Sequence, residues 1–94
     1  MTNNVKGLLP IGSVIRLRGA QKNLMVFGVC QTHKESNETY DYIGVLWPEG
    51  NLGAESQILF EHKDIDEVLF VGFENEERNL FIGRLNEFYE AQNG

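Results

Sequence analysis

The chain has 94 residues, a single cysteine and a net charge of −6. This length suits one domain with one core and a shallow groove, and it leaves little room for a deep substrate cleft. We therefore expect residues 1–94 to form a single domain, with flexible ends at 1–7 and 92–94. A lone cysteine cannot close an internal disulfide, which favours the reducing cytoplasm over secretion. Because no apolar stretch approaches about 18 residues and the N-terminus lacks a signal-peptide core, no membrane insertion is expected.

The charges are divided unevenly along the chain. Residues 1–34 carry five basic side chains and no acid, giving +5, whereas residues 35–94 carry all 14 acids against three basic side chains, giving −11. Either a basic first strand lies beside an acidic strand and neutralises it, or one block binds a partner of the opposite charge. We favour the first alternative, because the two halves of so small a domain must touch. The acidic balance also disfavours a nucleic-acid partner, since phosphate binding needs a positive footprint.

Five short segments predict β-strands in chain order. The first, at 13–18, alternates its apolar side chains as a half-buried strand does, and the second, at 24–31, is apolar almost throughout and should be covered on both faces. The remaining strands are predicted at 40–47, 58–61 and 67–73, with one helical turn at 62–66. Trp47-Pro48-Glu49-Gly50 fits a type I turn, with proline at its second position and glycine at its fourth.

A helix is predicted after the last strand. Asn75 is a good N-cap residue, and the helix should run from there to about Ala91. Phe81, Leu85 and Phe88 have the spacing of one apolar stripe. This stripe is expected to pack on strand residues such as Ile15, Phe27 and Val45.

Short strands joined by short loops and followed by one helix predict an α+β domain. The architecture that we favour is a small curled antiparallel β-sheet or SH3-like barrel of about five strands, with the C-terminal helix packed on it. A flat sheet covered by the helix is the alternative.

The chain offers few residues for catalysis or metal binding. Because ligand spacings such as Cys-x-x-Cys are absent, we expect no metal and no other cofactor, and His62 should lie at the surface while Asp64 or Asp66 caps a turn. Cys30 and His33 would point to opposite faces of an extended chain, so they would not form a nucleophile–base pair. No catalytic residue is predicted, and a small hydrolytic enzyme is the least favoured function.

The segment that is most typical of a recognition surface lies in and after the third strand. Aromatic side chains beside a rigid proline turn occur in grooves that bind peptides. The predicted partner-binding residues are Tyr40, Asp41, Tyr42, Trp47, Pro48, Glu49 and Asn51. An exposed strand edge could serve the same purpose. The alternative is that Tyr42 and Trp47 pack in or beside the core, since tryptophan is highly buried on average.

Four segments give the chain a resemblance to a known family. They are Leu9-Pro10-Ile11-Gly12-Ser13-Val14, Tyr40-Asp41-Tyr42-Ile43-Gly44-Val45, Trp47-Pro48-Glu49-Gly50-Asn51 and His62-Lys63-Asp64-Ile65-Asp66-Glu67-Val68. Over about residues 8–90 the chain resembles short uncharacterised proteins of Gram-positive bacteria, although Trp47 stands where that family has tyrosine. The genes of such proteins lie beside those of the type VII (ESX-like) secretion system and its LXG-domain toxins. The resemblance implies a protein-binding accessory or targeting chaperone for such a toxin, with an immunity protein that neutralises a toxin as the alternative.

Overall fold

The structure is a computed structural model that describes residues 1–93. In chain order the elements are a 3-10 turn at Val5–Gly7, strands β1 (Val14–Leu17), β2 (Asn23–Thr32) and β3 (Thr39–Trp47), a 3-10 turn at Ala54–Ser56, strand β4 (Ile58–Phe60), a 3-10 turn at His62–Asp64, strand β5 (Ile65–Phe70) and helix α1 (Glu76–Asn93). The predicted α+β class, with five strands and a C-terminal helix, is confirmed. Within residues 1–93, no helix has the length and apolarity needed to cross a membrane.

The five strands form one antiparallel sheet in the order β4-β3-β2-β1-β5. Although β4 and β5 are consecutive in sequence, they lie at opposite edges, and a flat five-stranded sheet would hold them about 19 Å apart. The connection consists of residues 61–64, and a 3-10 turn rises only about 2 Å per residue, so it cannot span that distance. The sheet must therefore curl, which excludes the flat alternative. Because β4 and β5 share no ladder within the described residues, the curled sheet stays open and does not close into a barrel.

The core lies inside the curl of the sheet. Ile15, Leu24 and Val26 are buried there, and the Tyr42 ring stacks on Phe60 with centroids 5.2 Å apart. Along β2 the burial alternates, so its core-facing residues are buried while the intervening ones are half-buried. The prediction that this strand is covered on both faces is thus only partly met.

Strand β5 begins and ends earlier than predicted. It starts at Ile65, directly after the 3-10 turn, and stops at Phe70. Beyond it, the Gly72 N–H donates to the Ser13 side-chain oxygen at 3.0 Å, and Ser13 donates in turn to the Pro10 carbonyl at 2.7 Å. A side chain at position 72 would collide with the Ile11 carbonyl, so only glycine permits this close approach.

Ion pairs join the basic and the acidic halves of the chain. Strand β1 lies beside β5, and the Arg16 guanidinium is 3.3 Å from the Asp66 carboxylate and 3.6 Å from that of Glu67. Lys22 similarly pairs with Glu49 at 2.8 Å. These contacts confirm that a basic strand neutralises an acidic one.

The N-terminal segment, which the sequence suggested to be a flexible end at 1–7, contributes to the core. Val5 and Leu8 are buried in the same cluster as the strand residues. The Leu8 carbonyl accepts a hydrogen bond from the Arg78 guanidinium of α1 at 2.9 Å. At the other end, α1 extends through residues 92 and 93, and Gly94 lies outside the described residues.

Helix α1 begins where predicted but buries a different face. Asn75 is its N-cap, because the Asn75 side-chain oxygen accepts a hydrogen bond from the Arg78 N–H at 2.9 Å. Phe81 and Phe88 are each 54% exposed, so their predicted packing on the strands is wrong, whereas Leu85 does pack against the core. The face that α1 turns to the core consists of the buried Ile82 and the half-buried Leu85 and Tyr89. The face differs because α1 packs mainly on the Val5–Gly7 turn rather than directly on a strand.

This assignment of the helix face predicts unequal costs of truncation. Ile82→Ala should lower the free energy of unfolding by about 2–4 kcal/mol, because a buried side chain is removed. Phe88→Ala should cost less than about 1.5 kcal/mol, although it removes a larger side chain, because half of that side chain is already in water. Urea titration followed by circular dichroism measures both. Equal costs, or a larger cost for Phe88→Ala, would show that the stripe is assigned to the wrong face.

Candidate docking site

The seven residues predicted to bind a partner fall into a buried group and an exposed group. Asp41 and Tyr42 are buried in β3, and Tyr40 is half-buried. The exposed group, at the end of β3 and in the loop after it, consists of Trp47, Pro48, Glu49 and Asn51. Because a partner cannot reach Asp41 and Tyr42, only the exposed group and the half-buried Tyr40 are available for docking on this fold.

The buried pair holds three segments of the chain together. Asp41 accepts hydrogen bonds from the Thr2 N–H and the His62 N–H, each at 2.8 Å, one on each carboxylate oxygen. The Tyr42 hydroxyl accepts the Leu9 N–H at 2.8 Å and lies 2.7 Å from His62 Nδ1. Burial raises the pKa of Tyr42 to about 12, so the hydroxyl keeps its proton at neutral pH. These two side chains therefore support the fold, and we place them in the core.

Two carboxylates beside this cluster are engaged in hydrogen bonds that support the fold. A shallow depression of about 340 Å³ runs past Asp41, Glu61 and His62. Both Asp41 oxygens are already occupied by backbone donors, and Asp64 caps the turn by accepting the Glu61 N–H at 3.0 Å. His62 is exposed, as predicted. In the part of the chain that the structure describes, no three His, Cys, Asp or Glu side chains are grouped as metal ligands.

Cys30 and His33 do not form a nucleophile–base pair in this arrangement. Burial raises the pKa of Cys30 to about 11, so its thiol is almost entirely protonated at neutral pH. The His33 Nδ1 atom lies 3.3 Å from both the backbone nitrogen and the hydroxyl of Ser36. His33 thus takes part in a local turn rather than in activation of a thiol.

The turn after β3 differs from the predicted one. The Gly50 N–H donates to the Leu46 carbonyl at 2.7 Å, so the turn closes on Leu46 and not on Trp47 as a type I turn over residues 47–50 would require. The Trp47–Pro48 peptide is cis. Gly50 has a φ of +79°, a left-handed conformation that glycine adopts without a steric penalty. The motif therefore specifies a turn here, but a wider one.

Hydrogen bonds within the loop that connects β3 to β4 hold it in one conformation. The Asn51 side-chain oxygen accepts the Gly53 N–H at 3.2 Å and the Gln57 side-chain N–H at 3.3 Å. The Ser56 hydroxyl accepts the Leu52 N–H at 3.1 Å and donates to the Gly53 carbonyl at 2.8 Å. Asn51 is exposed, but its side chain serves this loop.

Two large apolar side chains of this segment remain in water. Trp47 is 48% exposed and Leu52 is 70% exposed. We call Trp47, Pro48 and Leu52, with Asn51 between them, the Trp47 surface. Leu52 was not predicted, although an apolar residue within a polar, glycine-containing loop is a signal that could have identified it. Next to this surface, Glu49 is held by Lys22, and that contact lowers the pKa of the Glu49 carboxyl.

The structural role of the buried tyrosine can be tested with a matched pair of hydroxyl deletions. Tyr42→Phe should lower the free energy of unfolding by about 1–3 kcal/mol, because it leaves the Leu9 N–H without its acceptor. Tyr40→Phe is the control, since the Tyr40 hydroxyl bonds only the exposed Glu38 carboxylate and its loss should change stability by less than about 0.5 kcal/mol. Chemical denaturation measures both changes in the free energy of unfolding. Equal changes would show that the Tyr42 hydroxyl does not stabilise the fold through its buried hydrogen bonds.

Comparison with known proteins gives one match. A family model described as "Domain of unknown function (DUF4176)" matches residues 8–81. This segment contains all five strands, the Trp47 surface and the start of α1. No curated protein and no solved structure matches the chain. Since the matched residues make up well over half of the sequence, the chain belongs to the DUF4176 family.

Proposed function

We propose that this chain is a non-enzymatic protein-binding module of the cytoplasm, and that it acts as an accessory or targeting chaperone for a toxin exported by a type VII secretion system. The observation that supports binding is the exposure of Trp47 and Leu52 on a loop that is already ordered by its own hydrogen bonds. The role in export rests on the resemblance to small Gram-positive proteins whose genes lie beside LXG-toxin genes.

A tryptophan on an ordered loop is well suited to anchor a protein partner. Tryptophan is among the residues that contribute most binding energy in protein interfaces. Binding is also weakened by any loop that must be ordered at the same moment. The bonds from Asn51 and Ser56 order this loop in advance, so most of the gain from covering Trp47 and Leu52 contributes to affinity.

The charge of the chain supports a basic segment as the target. The net charge is −6, so the field around the protein accelerates encounter with a positively charged partner. An immunity role would be supported by free acids around a groove that covers a basic toxin. Glu49, the acid that directly follows Pro48 of the Trp47 surface, is instead paired with Lys22, which favours the chaperone role.

Binding to a purified LXG-domain toxin encoded beside this chain tests the proposal. The parent chain should bind the toxin. If Trp47 is an anchor, Trp47→Ala should raise the dissociation constant by about 5- to 150-fold. Phe88→Ala is the matched control, because Phe88 is an aromatic side chain of similar exposure outside the Trp47 surface. Titration calorimetry on variants of unchanged melting temperature gives the comparison. Toxin export from cells that carry Trp47→Ala should fall in parallel.

Two results would contradict the proposal at different levels. If the folded Trp47→Ala chain binds the toxin as tightly as the parent, the Trp47 surface is not the docking site. If the parent chain binds no such toxin and its deletion leaves export unchanged, the chaperone function is wrong.

A further inference from the structure

The outer face of the sheet, which points away from the core, is apolar on its central strands. Residues that stand directly opposite each other in an antiparallel ladder project to the same face. Val14, Met25 and Val45 are such neighbours on β1, β2 and β3. They are buried or half-buried, although none of the three belongs to the core cluster. A sheet face that is left in water usually carries polar side chains, so this composition is typical of a face that is covered.

A groove lies on this outer face between two loops. Its floor contains Ile43 of β3 and Leu59 of β4, which stand opposite each other in the ladder. One wall is the tip of the β2–β3 hairpin at residues 32–35, and the other is formed by Ala54 and Gln57. The volume of the groove is about 560 Å³. It therefore offers an apolar floor between polar walls.

Two glycines establish the direction in which the floor of the groove faces. A Cβ atom at Gly44 would lie 3.1 Å from the Phe60 ring, so position 44 faces the core. Ile43 therefore faces outward, and a Cβ atom at Gly28 would lie only 2.7 Å from its Cγ2 atom. Because side chains alternate along a strand, Trp47 faces outward as well. The groove is thus continuous, along β3, with the Trp47 surface.

The strands beneath this face offer no free backbone groups to a partner. Strands β2 and β3 each have a neighbouring strand on both sides, so the N–H and C=O groups of their ladders are already used. An extended segment laid on this face would bury its own backbone groups without partners, which is costly. A helix pairs its own backbone groups and needs only side-chain contacts, which is why helices pack on the faces of sheets. A helix is therefore the element that suits this face.

The charges beside the groove favour a basic occupant. Glu35 on the hairpin wall and Glu55 in the opposite turn form no ion pair within residues 1–93. The walls contain a single lysine, Lys34, and no arginine, so acids outnumber bases there. The whole chain has a net charge of −6. Lysine or arginine at the borders of an apolar helix face would complement these acids.

We propose that the docking element of the toxin is an amphipathic helix with basic borders, whose apolar face lies along β3 from the groove to Trp47. This inference rests on the proposed toxin-binding function and specifies what the Trp47 surface binds. The distance from Ile43 to Trp47 along the strand is about 13 Å, because a strand rises about 3.3 Å per residue. A helix covers this distance with about nine residues, and its anchors would recur every three or four positions.

Photo-cross-linking from two positions tests the proposal. The probe is the purified LXG-domain toxin, and photoreactive benzoylphenylalanine replaces Ile43 in one variant and Trp47 in another. The toxin residues that the two variants capture should lie about seven to eleven positions apart in one segment, because a helix rises about 1.5 Å per residue. The same substitution at Leu80, an exposed aliphatic residue of α1, should capture no toxin.

Three cross-linking results would overturn the proposal. Captured residues about four positions apart would indicate an extended segment, which rises about 3.3 Å per residue. Captured residues in unrelated segments would indicate a composite surface instead of one helix. A captured segment without lysine or arginine beside its apolar positions would contradict the basic borders.

Binding measurements show whether the groove itself takes part. Ile43→Gln and Leu59→Gln should each raise the dissociation constant for the toxin at least about tenfold, because each places a polar amide beneath an apolar helix face. Leu80→Gln is the matched control, since Leu80 lies outside the groove and the Trp47 surface, and it should change the dissociation constant less than about twofold. Titration calorimetry on variants of unchanged melting temperature gives the comparison.

The outcomes separate this inference from the function on which it rests. A parent chain that binds no toxin overturns both. If Trp47→Ala weakens the complex but Ile43→Gln and Leu59→Gln do not, the toxin docks on the Trp47 surface alone and the helix along β3 is wrong. If the glutamine variants do not fold, the spacing of the cross-links decides, because benzoylphenylalanine keeps position 43 apolar.

Discussion

The buried Asp41 carboxylate connects the parts of this domain that the backbone ladders leave separate. It accepts one hydrogen bond from the Thr2 N–H in the N-terminal segment and one from the His62 N–H in the turn between the two edge strands. A carboxylate can be buried only if such donors satisfy its oxygens. Tyr42 repeats the same connection one residue later, through Leu9 and His62. The positions of the N-terminal segment and of the turn at His62 against β3 thus depend on one pair of polar side chains.

The position of the N-terminal segment explains which surfaces remain uncovered. Val5 and Leu8 occupy the part of the core that the helix alone was expected to fill, and α1 packs on them with Ile82, Leu85 and Tyr89. A helix that rests on this segment does not cover β5. The exposed edge strand and the exposed Phe81 and Phe88 are therefore consequences of the same packing, rather than separate defects of a small core.

The Trp47 surface is a loop ordered by side-chain hydrogen bonds, which presents a few large anchors beside an ion pair. Because the loop is ordered before any partner arrives, little of the energy gained by covering these anchors is spent on ordering the loop. Anchors on a small loop suit a partner that must be bound and released.

Local sequence by itself determined the five strands, the C-terminal helix, the Asn75 cap and the presence of a turn after β3, because alternation, capping and turn preferences act within a few residues. The pairing of charges between β1 and β5 also followed from the sequence, since the two blocks had to meet in so short a chain. Only the tertiary structure decided that Asp41 and Tyr42 are buried and that Phe81, Phe88 and Leu52 are exposed. Periodicity shows that a helix has an apolar face. Which of its side chains are covered depends on the segment that packs on the helix, which here is residues 5–8.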